Sequence, residues 1–322
     1  MFVDAGYPGG KWVGGVLTPS GDVICLPFQG GRALRISPTR NVTTIILGQN
    51  GSWQGGVLLA DGGVLGIVYE NPNFVAIRGN NADLLDAGLP REGVMSTPYF
   101  EGGVITLSQK VLLSPRGDVL PGVFDRATQL LTIHDAGIPS SANFGANYGS
   151  PILLADGESA IIVPRRANQM IHLTPTGGAL VGPANLEGHS GGLLLPDGGA
   201  LLMPYENAEF VVWDGVNANV TTPGIFTGYY SGAWSTNGYG YALQAAFPAA
   251  NIAIIDRDGV VTEVPLATDG GIFQYSHYGL TTLPDGVIVG CPFESHDVLF
   301  IEPYGRRNVS IRAMTSPWLN KW

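Results

Sequence analysis

The chain is written as short apolar runs of four to six residues, rich in Val, Ile, Leu and Phe, each bounded by Gly, Asn, Asp or Pro. ALRI (33–36), FVAI (74–77), FVVW (210–213) and VLFI (298–301) are typical, and weaker runs such as VTTIIL (42–47) and VTEVPL (261–266) follow them. Runs of that length with those boundaries predict strands. No window carries the 3.6-residue period and the caps of a helix, so the pattern predicts an all-β chain.

The pattern also recurs. WVGGVLTPSG (12–21) returns as WQGGVLLADG (53–62), SQKVLLSPRG (108–117), YGSPILLADG (148–157), HSGGLLLPDG (189–198), YYSGAWSTNG (229–238) and HYGLTTLPDG (277–286). The closing glycines, Gly21, Gly62, Gly117, Gly157, Gly198, Gly238 and Gly286, are separated by 41, 55, 40, 41, 40 and 48 residues. Four short strands in about 40 residues make one antiparallel propeller blade. Seven copies predict a seven-bladed β-propeller of four-stranded antiparallel blades, with residues 1–322 as a single domain. Pro27, Pro204 and Pro292 stand at the ends of second strands, where a missing N–H costs the ladder nothing. The pairs Gly14-Gly15, Gly55-Gly56 and Gly191-Gly192 fall on the innermost strands, where backbones crowd the axis. Closure is expected to use NVSIRAM (308–314) or MFVDAG (1–6) as the outer strand of the last blade.

The unit aromatic-x-Gly-Gly, Leu, P/A-D-G, then P-Y/F and an apolar strand resembles β-propeller repeats of the kelch-like and WD-like superfamily over almost the whole chain. Similar propellers occur among tailed-phage virion proteins. The resemblance implies a non-enzymatic structural or adhesion component of a virus particle, of tail, fibre or surface-decoration type. Its expected place is the virion, and its expected partners are other virion proteins or a host-surface glycan or protein, within a symmetric assembly. Two alternatives stand beside it: a cellular propeller that binds carbohydrate or protein, and a channel-mouth enzyme of lyase or lactonase type.

Charge narrows the partners. The net charge is −10, from 16 basic and 26 acidic residues, and the longest basic stretches are Arg165-Arg166 and Arg306-Arg307. Phosphate backbones and anionic membrane surfaces need clustered cations, so neither nucleic acid nor membrane is an expected partner. No apolar run approaches the roughly 20 residues of a membrane span, and the first residues lack the basic head and apolar core of a signal peptide, so a soluble chain without a secretion signal is expected. Four N-x-S/T sequons, at Asn41, Asn50, Asn219 and Asn308, are then read as chance. Cys25 and Cys291 lie on the second strands of the first and last blades; they could meet across the closing seam but are expected to be buried free thiols.

In a propeller, the loops entering the first strands and those joining second to third strands open on one face. Two columns of the repeat therefore converge on a channel mouth: Trp12, Trp53, Ser108, Tyr148, His189, Tyr229 and His277, and then Gln29, Glu70, Asp125, Arg165, Glu206 and Glu294. Rings beside carboxylates could stack on sugars or grip a protein loop, which makes Trp12, Trp53, Tyr148, His189, Tyr229, His277, Glu70, Glu206 and Glu294 the candidate ligand-binding set. The bland alternative is that the rings fill the space between blades and the acidic residues are solvated turns. The five histidines show no zinc-ligand spacing, and no serine sits in a nucleophile elbow, so no catalytic residue, metal or cofactor is expected.

Overall fold

The computed structural model describes residues 11–86, 88–89, 99–116, 119–138, 148–206, 209–223, 228–244, 251–265, 277–293, 298–303 and 309–313. The apolar runs become strands throughout. The first blade holds β1 (Lys11–Leu17), β2 (Val23–Ile36) and β3 (Val42–Gly51); the second β4 (Trp53–Leu58), β5 (Val64–Val68), β6 (Asn73–Arg78) and β7 (Asn81–Asp86). The third holds β8 (Phe100–Ile105), β9 (Lys110–Pro115), β10 (Gly122–Asp125) and β11 (Leu130–Ile133); the fourth β12 (Tyr148–Leu153), β13 (Ala160–Pro164), β14 (Met170–Thr174) and β15 (Gly177–Val181). The fifth holds β16 (His189–Leu194), β17 (Ala200–Pro204), β18 (Glu209–Trp213) and β19 (Ala218–Pro223); the sixth β20 (Tyr229–Trp234), β21 (Gly240–Gln244), β22 (Asn251–Ile255) and β23 (Val261–Pro265). The seventh holds β24 (His277–Thr282), β25 (Ile288–Pro292), β26 (Leu299–Pro303) and β27 (Val309–Ala313). Each blade is an antiparallel sheet in chain order, and β2 stands for two strands in the first, its early residues pairing with β1 and its later ones with β3.

The inner strands β1, β4, β8, β12, β16, β20 and β24 touch in ring order, and β24 returns to β1. This is the predicted seven-bladed propeller. Successive side chains on a strand point to opposite faces. In β5, β13, β17, β21 and β25 every residue is buried, because both faces of the blade are covered by neighbours. That two-sided burial is why the runs read as unbroken apolar stretches. The core divides into seven apolar clusters, one between each adjacent pair of blades.

A tight turn joins first and second strands in every blade, its N–H donating three residues back: Gly21 to Thr18, Gly62 to Leu59, Gly157 to Leu154, Gly198 to Leu195, Gly238 to Ser235, Gly286 to Leu283 and Gln109 to Thr106. The six glycines have φ between 68° and 93° and Gln109 has 63°, the left-handed conformation a hairpin turn of this type requires. The third blade therefore differs from the sequence reading. Its repeat is FEGGVITLSQ (100–109), with Gln109 in the glycine position, and not the copy beginning at Ser108. Ser108 sits in the turn, where its N–H and Oγ both bond the Glu158 carboxylate (2.8 and 2.6 Å). Asp125 pairs with Lys110 beside that turn, at the end of the ring opposite the mouth.

The closing seam differs from expectation in one respect and decides an open point in another. The outer strand of the seventh blade is β27, from the C-terminal segment, and among the described residues the first blade is built from 11–51, so the described chain ends exchange no strand; residues 1–6 lie outside the described residues. Cys25 and Cys291 form a disulfide across 266 residues, with Cα atoms 6.1 Å apart, which corrects the expectation of free thiols. The bond is possible because β2 and β25 face each other at the seam, a juxtaposition that only ring closure creates. Around it pack Trp12, Val23, Leu34, Val289 and Phe300, and Arg40 adds an ion pair to Glu302 (2.9 Å). Among the described residues no helix is long and apolar enough to cross a membrane.

Two outcomes follow from the turns and the seam. Replacing Gly62 with Ala forces a β-carbon into φ 81° and should cost about 1–2 kcal/mol, whereas Gln109→Gly should be neutral or stabilising; urea denaturation of both variants checks the pair. The double variant Cys25→Ala/Cys291→Ala should lose about 2–5 kcal/mol of unfolding free energy, since the cross-link closes nearly the whole chain. A loss under about 1 kcal/mol would show that packing alone holds the seam.

Candidate functional site

The inner strands all begin on one face, and antiparallel register brings the ends of the second strands to it. Trp12 pairs with Pro27, Trp53 with Val68, Phe100 with Pro115, Tyr148 with Pro164, His189 with Pro204, Tyr229 with Gln244 and His277 with Pro292. This is the mouth face.

Trp12, Trp53, Phe100, Tyr148, His189, Tyr229 and His277 are all buried. Three of them make the same bond to a carbonyl twenty residues on, at the third strand: Trp12 Nε1 donates to Arg32 (2.9 Å), Trp53 Nε1 to Asn73 (3.0 Å), and His189 Nε2 lies 3.1 Å from Glu209 O. Tyr229 donates its hydroxyl to Glu263 Oε1 (2.9 Å). Burial pushes the His189 imidazole below its ordinary value and the Tyr148 hydroxyl up to about 12; it raises Tyr229 further, with the Glu263 carboxylate adding to the shift. These side chains are the packing between blades, so the sequence-predicted column does not line the mouth. Of the acidic candidates, Glu70 and Glu206 are exposed on this face, and Glu206 pairs with Arg166 (3.2 Å). Glu294 lies outside the described residues.

What the structure brings together follows the second-strand partner of the wall residue in six of the seven blades, the sixth blade's equivalent lying outside the described residues: Phe28, Tyr69, Arg116, Arg165, Tyr205 and Phe293. A belt of backbone bonds fixes them. The residue before an inner strand accepts from its own blade's residue of this set and donates to the preceding blade's: Arg116 N–H to Tyr99 O and Tyr99 N–H to Tyr69 O, then Tyr205 N–H to Gly188 O and Gly188 N–H to Arg165 O. Ser52 plays the same part with its hydroxyl, which donates to Phe28 O, while its carbonyl accepts from Tyr69 N–H.

The side chains form one arc. Tyr278 and Phe293 ring centres are 5.8 Å apart, Phe293 and Phe28 5.4 Å, and Phe28 and Tyr69 4.9 Å, crossing blades seven, one and two. The Arg116 guanidinium continues the arc over the Tyr69 ring at 4.7 Å, and Arg165 lies over Tyr205 at 3.9 Å. Between the arginines sits Glu101, second residue of β8, its side chain only 1% exposed; it accepts from Arg116 Nη1 and from Arg165 Nη1 (3.4 Å). Burial holds the Tyr69 hydroxyl up at about 12, so it stays protonated. Near the axis Gln54 Nε2 donates to the Tyr278 hydroxyl (3.1 Å), passing over the first blade. Its Oε1 is buried and accepts no hydrogen bond among the described residues. Among those residues no three His, Cys, Asp or Glu are placed to hold a metal ion.

The sequence held a signal for this set: five of its six members directly follow a strand-ending proline or its equivalent, as Pro27-Phe28, Pro115-Arg116, Pro164-Arg165, Pro204-Tyr205 and Pro292-Phe293. The sequence-predicted acidic column runs one residue past it at Gln29, Glu70, Glu206 and Glu294, coincides with it at Arg165, and in the third blade falls on Asp125. Arg116 was missed because the third repeat was set eight residues late.

No protein-family model matches the chain, and no curated protein matches it. Solved structures do. A streptogramin B lyase superposes with a TM-score of 0.72 at 14% identity, covering 90% of this chain and 93% of the lyase. A catalytically inactive histidine variant of virginiamycin B lyase from Staphylococcus aureus, with quinupristin, gives 0.68 at 12% identity, covering 93% and 94%. The β-propeller domain of Cps50 (Swd1) from Myceliophteria thermophila gives 0.61 at 10% identity, covering 91% and 96%. These likenesses carry the fold. They also correct the expectation that the chain is not an enzyme: that expectation rested on the lack of a catalytic motif and on the repeat resemblance, and structures of this fold include lyases.

Trp53 is fully buried, so Trp53→Ala should destabilise by about 3–5 kcal/mol, while Phe28→Ala, at a half-buried position, should cost clearly less; chemical denaturation separates the wall residue from the mouth residue.

Proposed function

We propose that the mouth face captures a small organic ligand with a flat apolar body and that the protein binds or transforms it there. The observation that carries this reading is the continuous run of rings Tyr278, Phe293, Phe28 and Tyr69 across three blades, three of them half-buried and so still offering surface. Rings held against one another in a rigid frame present a large apolar area at little entropic cost. The Tyr278 hydroxyl, held by Gln54 Nε2, supplies a polar group beside them. A structure of the same fold, virginiamycin B lyase, has been solved with quinupristin. A particle-surface role, drawn from the repeat resemblance, would use the same arc on a host glycan or protein loop.

Isothermal titration against naphthyl and phenyl compounds, with a glycan array beside it, tests the reading. The wild-type protein is expected to bind ring-bearing compounds, and Phe28→Ala/Phe293→Ala to bind them at least tenfold more weakly, while Leu84→Ala on the outer rim leaves affinity unchanged. Mass spectrometry of the same mixtures distinguishes capture from turnover. Binding that is absent, or that survives the double variant, overturns the assignment; glycan binding without small-molecule binding moves the role to surface adhesion.

A further inference from the structure

Glu101, Arg116 and Arg165 are unexplained by packing. An apolar residue fits the same place in the ring, since Val13 follows Trp12 in the first inner strand as Glu101 follows Phe100 in the third, and Val13 is buried there. A carboxylate with 1% exposure is costly to desolvate unless well paired, and here guanidiniums from two blades converge on its two oxygens. Each guanidinium also lies over a tyrosine ring.

Resting on the mouth reading above, we propose that this cluster is a carboxylate subsite: Arg116 receives a carboxylate of the ligand, and Glu101 and Arg165 are positioning residues that fix its guanidinium. Arg116 keeps 23% of its side chain exposed and adjoins the aromatic arc through Tyr69, so a ligand lying on the arc brings its acidic end to this arginine. A planar guanidinium matches a planar carboxylate with two parallel bonds. Charge selects the class. With Glu101 paired to both guanidiniums, the cluster carries at most one net positive charge, which suits a monoanion. A phosphate, at nearly two negative charges, overfills it and is repelled by Glu101 more strongly than a carboxylate is. Glu70, next to Tyr69 in the chain, is exposed and its charge is screened by solvent.

The probes are 2-naphthoate, 2-naphthamide and 2-naphthyl phosphate, which share the ring and differ at the acidic end. Wild-type protein is expected to bind the carboxylate at least tenfold more tightly than the amide and the phosphate, with the preference shrinking in high salt. Arg116→Gln should level carboxylate and amide, Arg116→Lys should restore part of the preference, and Glu101→Gln should reduce the preference without abolishing binding of the amide. The ratio of the two affinities is the readout, because a loss of fold would weaken both alike. Equal binding of carboxylate and amide by the wild type overturns the subsite and leaves the mouth reading standing. Tighter binding of the phosphate overturns the carboxylate class. Failure of all three probes to bind overturns the mouth reading itself.

Discussion

The structure depends on one constraint: every blade must have a neighbour on both faces. A blade whose central strand is buried residue by residue, as β13 is from Ala160 to Pro164, has no solvent face to fall back on. Six of the seven apolar interfaces join blades that follow one another along the chain, so their formation is local. The seventh joins residues near 25 to residues near 290, and forming it carries the whole loop-closure cost of the ring. With no strand exchanged between the described chain ends, that interface rests on side-chain packing, the Arg40–Glu302 pair and the Cys25–Cys291 bond. The covalent bond removes the competing open ring from the folded ensemble. It also ties the mouth to the seam: Phe28 lies three residues beyond one cysteine and Phe293 two beyond the other, and their contact is part of the aromatic arc.

Crowding at the axis decides where a site can be. A β-carbon on Gly279 would stand 2.5 Å from the Gly14 Cα, one on Gly14 would stand 2.7 Å from the Gly55 Cα, and one on Gly149 would stand 1.9 Å from the Ser190 carbonyl oxygen. Inner strands this close leave no room for side chains between them, which is the physical reason for the glycine pairs in the repeat. Chemistry-bearing side chains are displaced outward, to the ends of the second strands, where the ring widens. The mouth is therefore a rim of Phe28, Tyr69, Arg116, Arg165, Tyr205 and Phe293 around a glycine-lined centre.

The fold was legible because two-sided burial and a seven-fold turn leave strong marks: unbroken apolar runs, and a glycine where φ must be positive. It failed locally where that mark was missing. Gln109 adopts the turn conformation without being glycine, and SPRG (114–117) imitates a repeat end nearby, so the third blade was shifted and Ser108 and Asp125 were carried to the wrong face. The site was less legible than the fold. Trp12, Trp53 and His189 are the conspicuous letters, but they are conspicuous because a large side chain with an N–H is needed to fill the gap between blades and bond a third-strand carbonyl. The disulfide could not be read from 266 residues of separation, since only the closed ring brings β2 and β25 together.

The distribution of polarity around the mouth separates what the ring needs from what a ligand needs. Seven-fold geometry asks every blade for the same thing, and the repeat supplies it with near-identical turns and walls. Departures from equivalence are then choices the fold did not force. The rim is aromatic at blades seven, one, two and five and cationic at three and four, and the position after the buried wall residue of the inner strand holds Val13, Gln54, Glu101, Gly149 and Ser190 in the first five blades. A buried carboxylate in one blade out of these five stabilises the ring no better than valine would, and its desolvation is offset by one arginine of its own blade and one of the next. Asymmetry of that kind in a symmetric frame marks the side of the mouth where recognition is concentrated.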